Sequence, residues 1–161
     1  MNALEFAINM ELDGERYYRK QVLIYKDTHL YPVCQMLAED EKYHALLLSN
    51  KLSQKPFELK GRDTLQSARN IFQGRDFIDS PEKEIPSQLD FYQEAAGIEK
   101  QSIELYRELA ARTEDAEEKD LYDYLIGQEE EHNQVLEELA LLLRHAEEWV
   151  ESAEFGNREE Y

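Results

Sequence analysis

The second half of this chain repeats the chemistry of the first at a fixed offset of 88 residues. Glu11 is matched by Glu99, Glu41 by Glu129 and His44 by His132, each pair 88 residues apart. Tyr18 and Tyr106 keep the same offset. Glutamate is abundant here, so a single match means little. Two of only four histidines falling in matched Glu-x-x-His motifs is harder to dismiss. Outside these positions identity is sparse: Ala7/Ala95, Arg19/Arg107, Leu37/Leu125 and Leu48/Leu136 also coincide. A unit repeated this way predicts one hairpin packed on its own copy about a pseudo-two-fold axis.

Apolar residues recur at three- and four-residue steps in four segments, which predicts four helices. They span about Ala3–Tyr25, Pro32–Leu52, Gln88–Arg112 and Ala116–Trp149. Pro32 suits a first helical turn. Ser87 with Asp90, and Asp115 with Glu118, read as start signals for the third and fourth helices. Short connections make the first two helices one antiparallel hairpin and the last two another. Between the hairpins, residues 53–87 hold three of the four prolines and two of the six glycines. A compact domain needs a purpose for so long a segment. A crossover along the bundle supplies one, since a helix of ~20 residues is ~30 Å long. Within it, Asp63–Phe72 predicts a short helix, with Leu65, Ala68, Ile71 and Phe72 facing the bundle. The reading is therefore one all-α domain, a four-helix bundle over residues 1–150, with an acidic tail, frayed at its end, over 151–161.

Residues three apart on a helix share a face. Glu41 and His44 thus point together, as do Glu129 and His132. Glu11 and Glu99 stand on core stripes where leucine would be expected. Four buried carboxylates without compensation would cost several kcal/mol each. Two divalent ions would cancel their charge, and two neutral imidazoles would complete the sites. This is the set that helix bundles use to hold two iron or manganese ions: a Glu from each of two helices and a Glu-x-x-His from each of the others. An oxygen-rich set with two imidazoles and no thiolate suits iron or manganese better than structural zinc or copper.

Behind the ligands, Asp40 and Gln128 each directly precede a ligand glutamate and could accept the outer N–H of a metal-bound imidazole across the bundle. Tyr18 and Tyr106 lie two turns from Glu11 and Glu99. They either hydrogen-bond ligand carboxylates or are plain core aromatics with satisfied hydroxyls. Glu15, whose repeat partner is Ile103, reads as peripheral. His29 and His145 have no repeat partners and are expected at the surface. Cys34 is expected as a small buried or boundary residue.

Net charge excludes some partners. At −18, the chain lacks the basic surface that neutralises phosphates, so nucleic acid is not expected. No apolar run approaches the roughly 20 residues that span a bilayer, and acids interrupt the apolar residues of the N-terminus as in no signal peptide. Both point to the cytoplasm. A single cysteine excludes an internal disulfide and any cysteine-rich metal site.

Two stretches resemble the ferritin-like superfamily and, within it, the rubrerythrins. Leu-Ala-Glu-Asp-Glu-Lys-Tyr-His, ending at His44, is similar to a rubrerythrin second helix. Glu-Lys-Gln-Ser-Ile-Glu-Leu-Tyr-Arg-Glu-Leu-Ala, Glu99 to Ala110, is similar to the third. The resemblance spans about residues 1–145. It implies a di-iron carboxylate protein with Glu11, Glu41, His44, Glu99, Glu129 and His132 as ligands of two iron ions, with manganese or zinc possible as purified. It also implies a non-haem oxidoreductase that reduces peroxide or O2. Rubrerythrins typically add a rubredoxin-like domain with four cysteine ligands, which one cysteine cannot provide. The expected electron donor is therefore a separate one, such as a rubredoxin-like protein. Rubrerythrins also carry an extra carboxylate one turn before the third-helix glutamate. Ala96 stands there, and Glu94 is about 140° round the helix from Glu99. The expected assembly is a homodimer or small homo-oligomer. Two alternatives stay open: a ferritin-like ferroxidase for iron storage or trafficking, and a bundle whose metals only staple the fold.

Overall fold

In a computed structural model, which describes residues 1–28, 30–73 and 81–159, the chain forms five helices. They are α1 (Ala3–Ile24), α2 (Leu30–Leu52), α3 (Thr64–Phe72), α4 (Pro81–Arg112) and α5 (Ala116–Glu159), with no strand among the described residues. Helix α1 opens on a reciprocal cap. The Asn2 side chain accepts from the Glu5 amide, and the Glu5 carboxylate accepts from the Asn2 amide. Helix α5 opens as its sequence predicts, with the Glu118 amide donating to Asp115 at 3.1 Å. The α1–α2 turn is tied by Thr28, whose hydroxyl donates to the Tyr25 carbonyl and accepts from the Leu30 amide. Helix α2 ends where Gln54 takes a left-handed φ of 56°, letting the Lys55 amide reach back to the Asn50 carbonyl.

Two boundaries differ from expectation. Helix α4 begins at Pro81, so Ser87 lies inside the helix rather than at its start. Pro81 fits a first helical turn, and Pro86 is tolerated in the second turn at the loss of one backbone hydrogen bond. Ser87 with Asp90 three residues on reads as a helix start, which is why the sequence placed it late. Helix α5 continues to Glu159 through the segment expected as a frayed tail. His29 lies outside the described residues.

The hairpins are α1–α2 and α4–α5, each packed chiefly on itself. Facing helices of the two hairpins run antiparallel. Lys51 near the end of α2 pairs with Asp115 and Glu117 at the start of α5, while Asp40 meets His132 further along. On the other side of the bundle, Met10 of α1 faces Ser102 of α4 and Tyr17 faces Glu94. A polar layer divides the core in two. One apolar cluster centres on Leu37, Phe91, Leu136 and Leu139. The other centres on Leu48, Leu121, Tyr122 and Leu125. The crossover packs along α2 and α5. Its helix α3 buries Ala68 fully and rests Leu65, Ile71 and Phe72 on the first cluster, as the pattern predicts. Arg69 grips Glu138 of α5 through two guanidinium nitrogens. Cys34 is wholly buried in this cluster, and burial pushes its thiol up to about 12.

Candidate metal centre

The polar layer holds the six residues of the repeat. Glu11, His44, Glu99 and Glu129 are fully buried, His132 is 1 % exposed and Glu41 2 %. Each helix of the bundle supplies its part through the local periodicity that makes it amphipathic. The ligand residues replace leucine on core stripes, so the helices that bury apolar side chains above and below must bury these too. The imidazoles stack with centroids 5.6 Å apart.

The atoms converge. His44 Nδ1 lies 2.9 Å from Glu129 Oε1 and 3.4 Å from Glu11 Oε2. His132 Nδ1 lies 3.2 Å from Glu41 Oε1, 3.4 Å from Glu99 Oε1 and 3.5 Å from Glu129 Oε2. Two overlapping groups could each hold an ion: Glu11, Glu41, His44 and Glu129, and Glu41, Glu99, Glu129 and His132. Glu41 and Glu129 belong to both groups, while Glu11 and Glu99 belong to one each.

Hydrogen bonding tests whether metal fits. Each of the six residues presents a buried oxygen or nitrogen with no hydrogen-bond partner: Glu11 Oε2, Glu41 Oε1, His44 Nδ1, Glu99 Oε2, both oxygens of Glu129 and His132 Nδ1. Several of these atoms face one another at 2.9–3.5 Å, so their charges and lone pairs are not met by ordinary hydrogen bonds. Such a cluster needs cations or protons at its centre, and two divalent ions satisfy both its charge and its lone pairs.

The pKa directions describe how the residues share protons without metal. Burial raises the Glu41 carboxyl well above its ordinary range, reinforced by the charges of Glu11, Glu129 and Glu99. Burial and the Glu129 charge raise Glu99 likewise. Burial also works to raise Glu129. The close approach of Glu99, His132 and His44 outweighs it and holds Glu129 ionised. Burial opposes a charge on His44, but Glu11 and Glu129 overcome it and lift the imidazole to about 10. His132 is raised in the same way against burial, chiefly by Glu99.

Around the ligands, both tyrosines reach across to the opposite hairpin. The Tyr18 hydroxyl donates to Glu99 Oε1 at 2.5 Å, and the Tyr106 hydroxyl donates to Glu11 Oε1. Burial and the adjacent carboxylates keep both phenols protonated. Asp40 also takes its expected place, with Oδ2 2.9 Å from His132 Nε2. Gln128 does not. It is buried, yet His44 Nε2 has no hydrogen-bond partner among the described residues. A core amide with a free choice of rotamer is a weaker magnet for an imidazole than an ionised carboxylate.

Three residues of this layer were missed from the sequence. Gly14 is buried one turn beyond Glu11, and a Cβ there would stand 2.9 Å from Glu41 Oε2. A glycine on a core stripe of a helix, with the small Ser102 as its repeat partner, could have exposed it. Arg62 and Thr64 join Asp40 from the crossover, and no periodicity announces them.

The duplicated hairpins, the crossover and a buried six-ligand layer are now joined by a family match. A family model described as rubrerythrin covers residues 2–140. The chain belongs to the rubrerythrin family. The comparisons with curated proteins and with solved structures found no match. As a rubrerythrin-family protein it belongs with ferritin-like di-iron proteins, and its buried cluster fits a metal site. At the position of the family's extra carboxylate, Ala96 is half-buried. Glu94 is exposed and accepts a 3.2 Å hydrogen bond from Tyr17 at the surface, so it offers no replacement. Among the described residues no helix is long and apolar enough to cross a membrane. His145 is exposed, as expected.

Proposed function

We propose that this protein is a non-haem di-iron oxidoreductase that reduces peroxide or O2. Electrons would come from a separate donor such as a rubredoxin-like protein, and the protein would act in the cytoplasm as a homodimer or small homo-oligomer. The observation that carries the reading is the convergence of seven unpartnered oxygen and nitrogen atoms, from all six repeat-matched residues, in one buried layer. When bound there, two ferrous ions would supply two electrons, enough with two protons to take hydrogen peroxide to two waters.

The chain's own residues set the conditions for that chemistry. Four carboxylates and two Nδ1 atoms would hold the ions and balance their charge. Tyr18 and Tyr106 each bond one oxygen of Glu99 and Glu11, which leaves Oε2 of each buried without a hydrogen-bond partner. Asp40 holds Nε2 of His132 and so turns its Nδ1 inward. Apolar clusters above and below exclude water, which strengthens the electrostatic interactions within.

The test is stopped-flow oxidation of protein loaded anaerobically with ferrous iron, with hydrogen peroxide and O2 compared. Rapid growth of a near-ultraviolet ferric band is expected. His132→Ala should remove most of it, because one ion loses its only nitrogen ligand, while the exposed His145→Ala should not change it. Oxidation no faster than that of ferrous iron in buffer would leave the metals a structural role. Fast oxidation by O2 with hundreds of irons accumulating per assembly would instead make the protein a ferritin-like store.

A further inference from the structure

His44 and His132 are equivalent in the repeat and unequal in the fold. Each turns Nδ1 toward the carboxylates, so Nε2 is the outer nitrogen of both. His132 Nε2 is held by Asp40 at 2.9 Å. Asp40 is held in turn by Arg62, whose Nε donates to Oδ1 at 2.9 Å, and by the Thr64 hydroxyl, which donates to Oδ2. His44 Nε2 is buried with no hydrogen-bond partner among the described residues. Gln128, the repeat partner of Asp40, does not reach it.

Arg62 and Thr64 come from the crossover, outside the repeat. The segment that carries them is clasped to the bundle. The Tyr43 hydroxyl donates to the Glu58 carbonyl at 3.1 Å, and the Tyr124 hydroxyl donates to the Lys60 carbonyl at 2.5 Å. The Arg62 guanidinium lies 4.7 Å over the Tyr43 ring. Because the chain crosses the bundle once, this strap can serve only one of two otherwise equivalent histidines.

We propose that Arg62 and Thr64 are positioning residues that make the His132 side of the dinuclear centre the tighter metal position and the first to fill. They fix the Asp40 carboxylate, and Asp40 fixes the tautomer and ring angle of His132, so Nδ1 meets an incoming ion already aimed. A carboxylate behind a ligating imidazole also makes its free nitrogen more basic toward metal. His44 has no such support, and its ring is ordered only by the ion and the carboxylates in front of it. The inference rests on the dinuclear reading above.

Cobalt(II) titration of the metal-free full chain, followed by calorimetry and by the visible cobalt bands, separates the two ions. Two steps are expected, the first tighter by ~10–100-fold, the range an outer hydrogen-bonding partner typically controls. Arg62→Ala should weaken the first step by about that factor and alter its band, with the second step unchanged. Arg62→Lys, which keeps a charged donor, should recover most of the loss. Thr64→Val replaces one hydroxyl by a methyl and gives the same reading if Arg62→Ala fails to fold. Gln128→Ala should leave both steps intact. His132→Ala should remove the tight step and His44→Ala the weak one. Two ions bound with equal affinity, or equal weakening of both steps in Arg62→Ala and Thr64→Val, would overturn the proposal while leaving the dinuclear centre standing. No cobalt bound at all would remove the centre itself, and this inference with it.

Discussion

Gly14 shows how closely the centre is fitted. A Cβ there would sit 2.9 Å from Glu41 Oε2, inside contact distance. In the middle of a helix, glycine costs about 1 kcal/mol against alanine, so the position gives up helix stability to make room for a carboxylate. Gly14→Ala should therefore leave the metal-free protein as stable or slightly more so, since an unbound carboxylate can swing aside. With metal present, Glu41 can no longer reach its bridging place. Thermal melts with and without added manganese should show the metal-induced rise in Tm shrinking in Gly14→Ala; an undiminished rise would contradict this use of the glycine. The six residues of the buried layer and both tyrosines were legible in the sequence because duplication repeats them at one offset. The tyrosines left two readings open, and their bonds to Glu99 and Glu11 decide between them. Gln128 misled for the opposite reason. The repeat preserves position there but not chemistry, and an amide does not replace an aspartate. Gly14 does its work by absence, so the site chemistry gave no reason to look for it.

At the scale of elements, the hairpins followed from periodicity, and Asp115 capped α5 as expected. The start of α4 did not, because Ser87 and Asp90 imitate a boundary that lies at Pro81. The crossover was legible as a connection and as a short helix. Its part in the metal layer was not, because Arg62 and Thr64 meet Asp40 across 22 and 24 residues of sequence with no pattern linking them. Helix α3 anchors the far end of this strap through Ala68, which is fully buried. Ala68→Leu would force three extra carbons into a filled interface, with an expected loss of about 1–3 kcal/mol. Urea unfolding followed by circular dichroism measures it. A neutral result would mean that α3 rests loosely on the bundle and that the strap holds by Tyr43 and Tyr124 alone.

For the whole molecule, the metal layer couples stability to pH. His44 is lifted by its carboxylate neighbours, against burial, to about 10 from an ordinary 6.5. A base raised by folding stabilises the native state fully below 6.5, and that contribution fades as pH climbs toward 10. The carboxyls of Glu41 and Glu99 are also raised, so their contribution too is lost as pH rises above the ordinary value of 4.5. Glu129 is lowered, and its contribution is lost only in acid, so it does not oppose the trend. Metal-free protein should therefore melt at falling temperature from about pH 6.5 toward pH 10. Metal-loaded protein should melt higher throughout, because an ion bound only by the folded state adds stability by mass action. Coincident melting curves would contradict charge balance by metal. The most direct test of the central claim, that the duplicated hairpins exist to hold two ions in one layer, is an anomalous-difference map from crystals grown with iron or manganese. Two peaks per chain are expected, roughly 3.5–4 Å apart as in other two-metal sites, one beside Nδ1 of His44 and one beside Nδ1 of His132. A single peak, or peaks confined to the acidic surface, would contradict it.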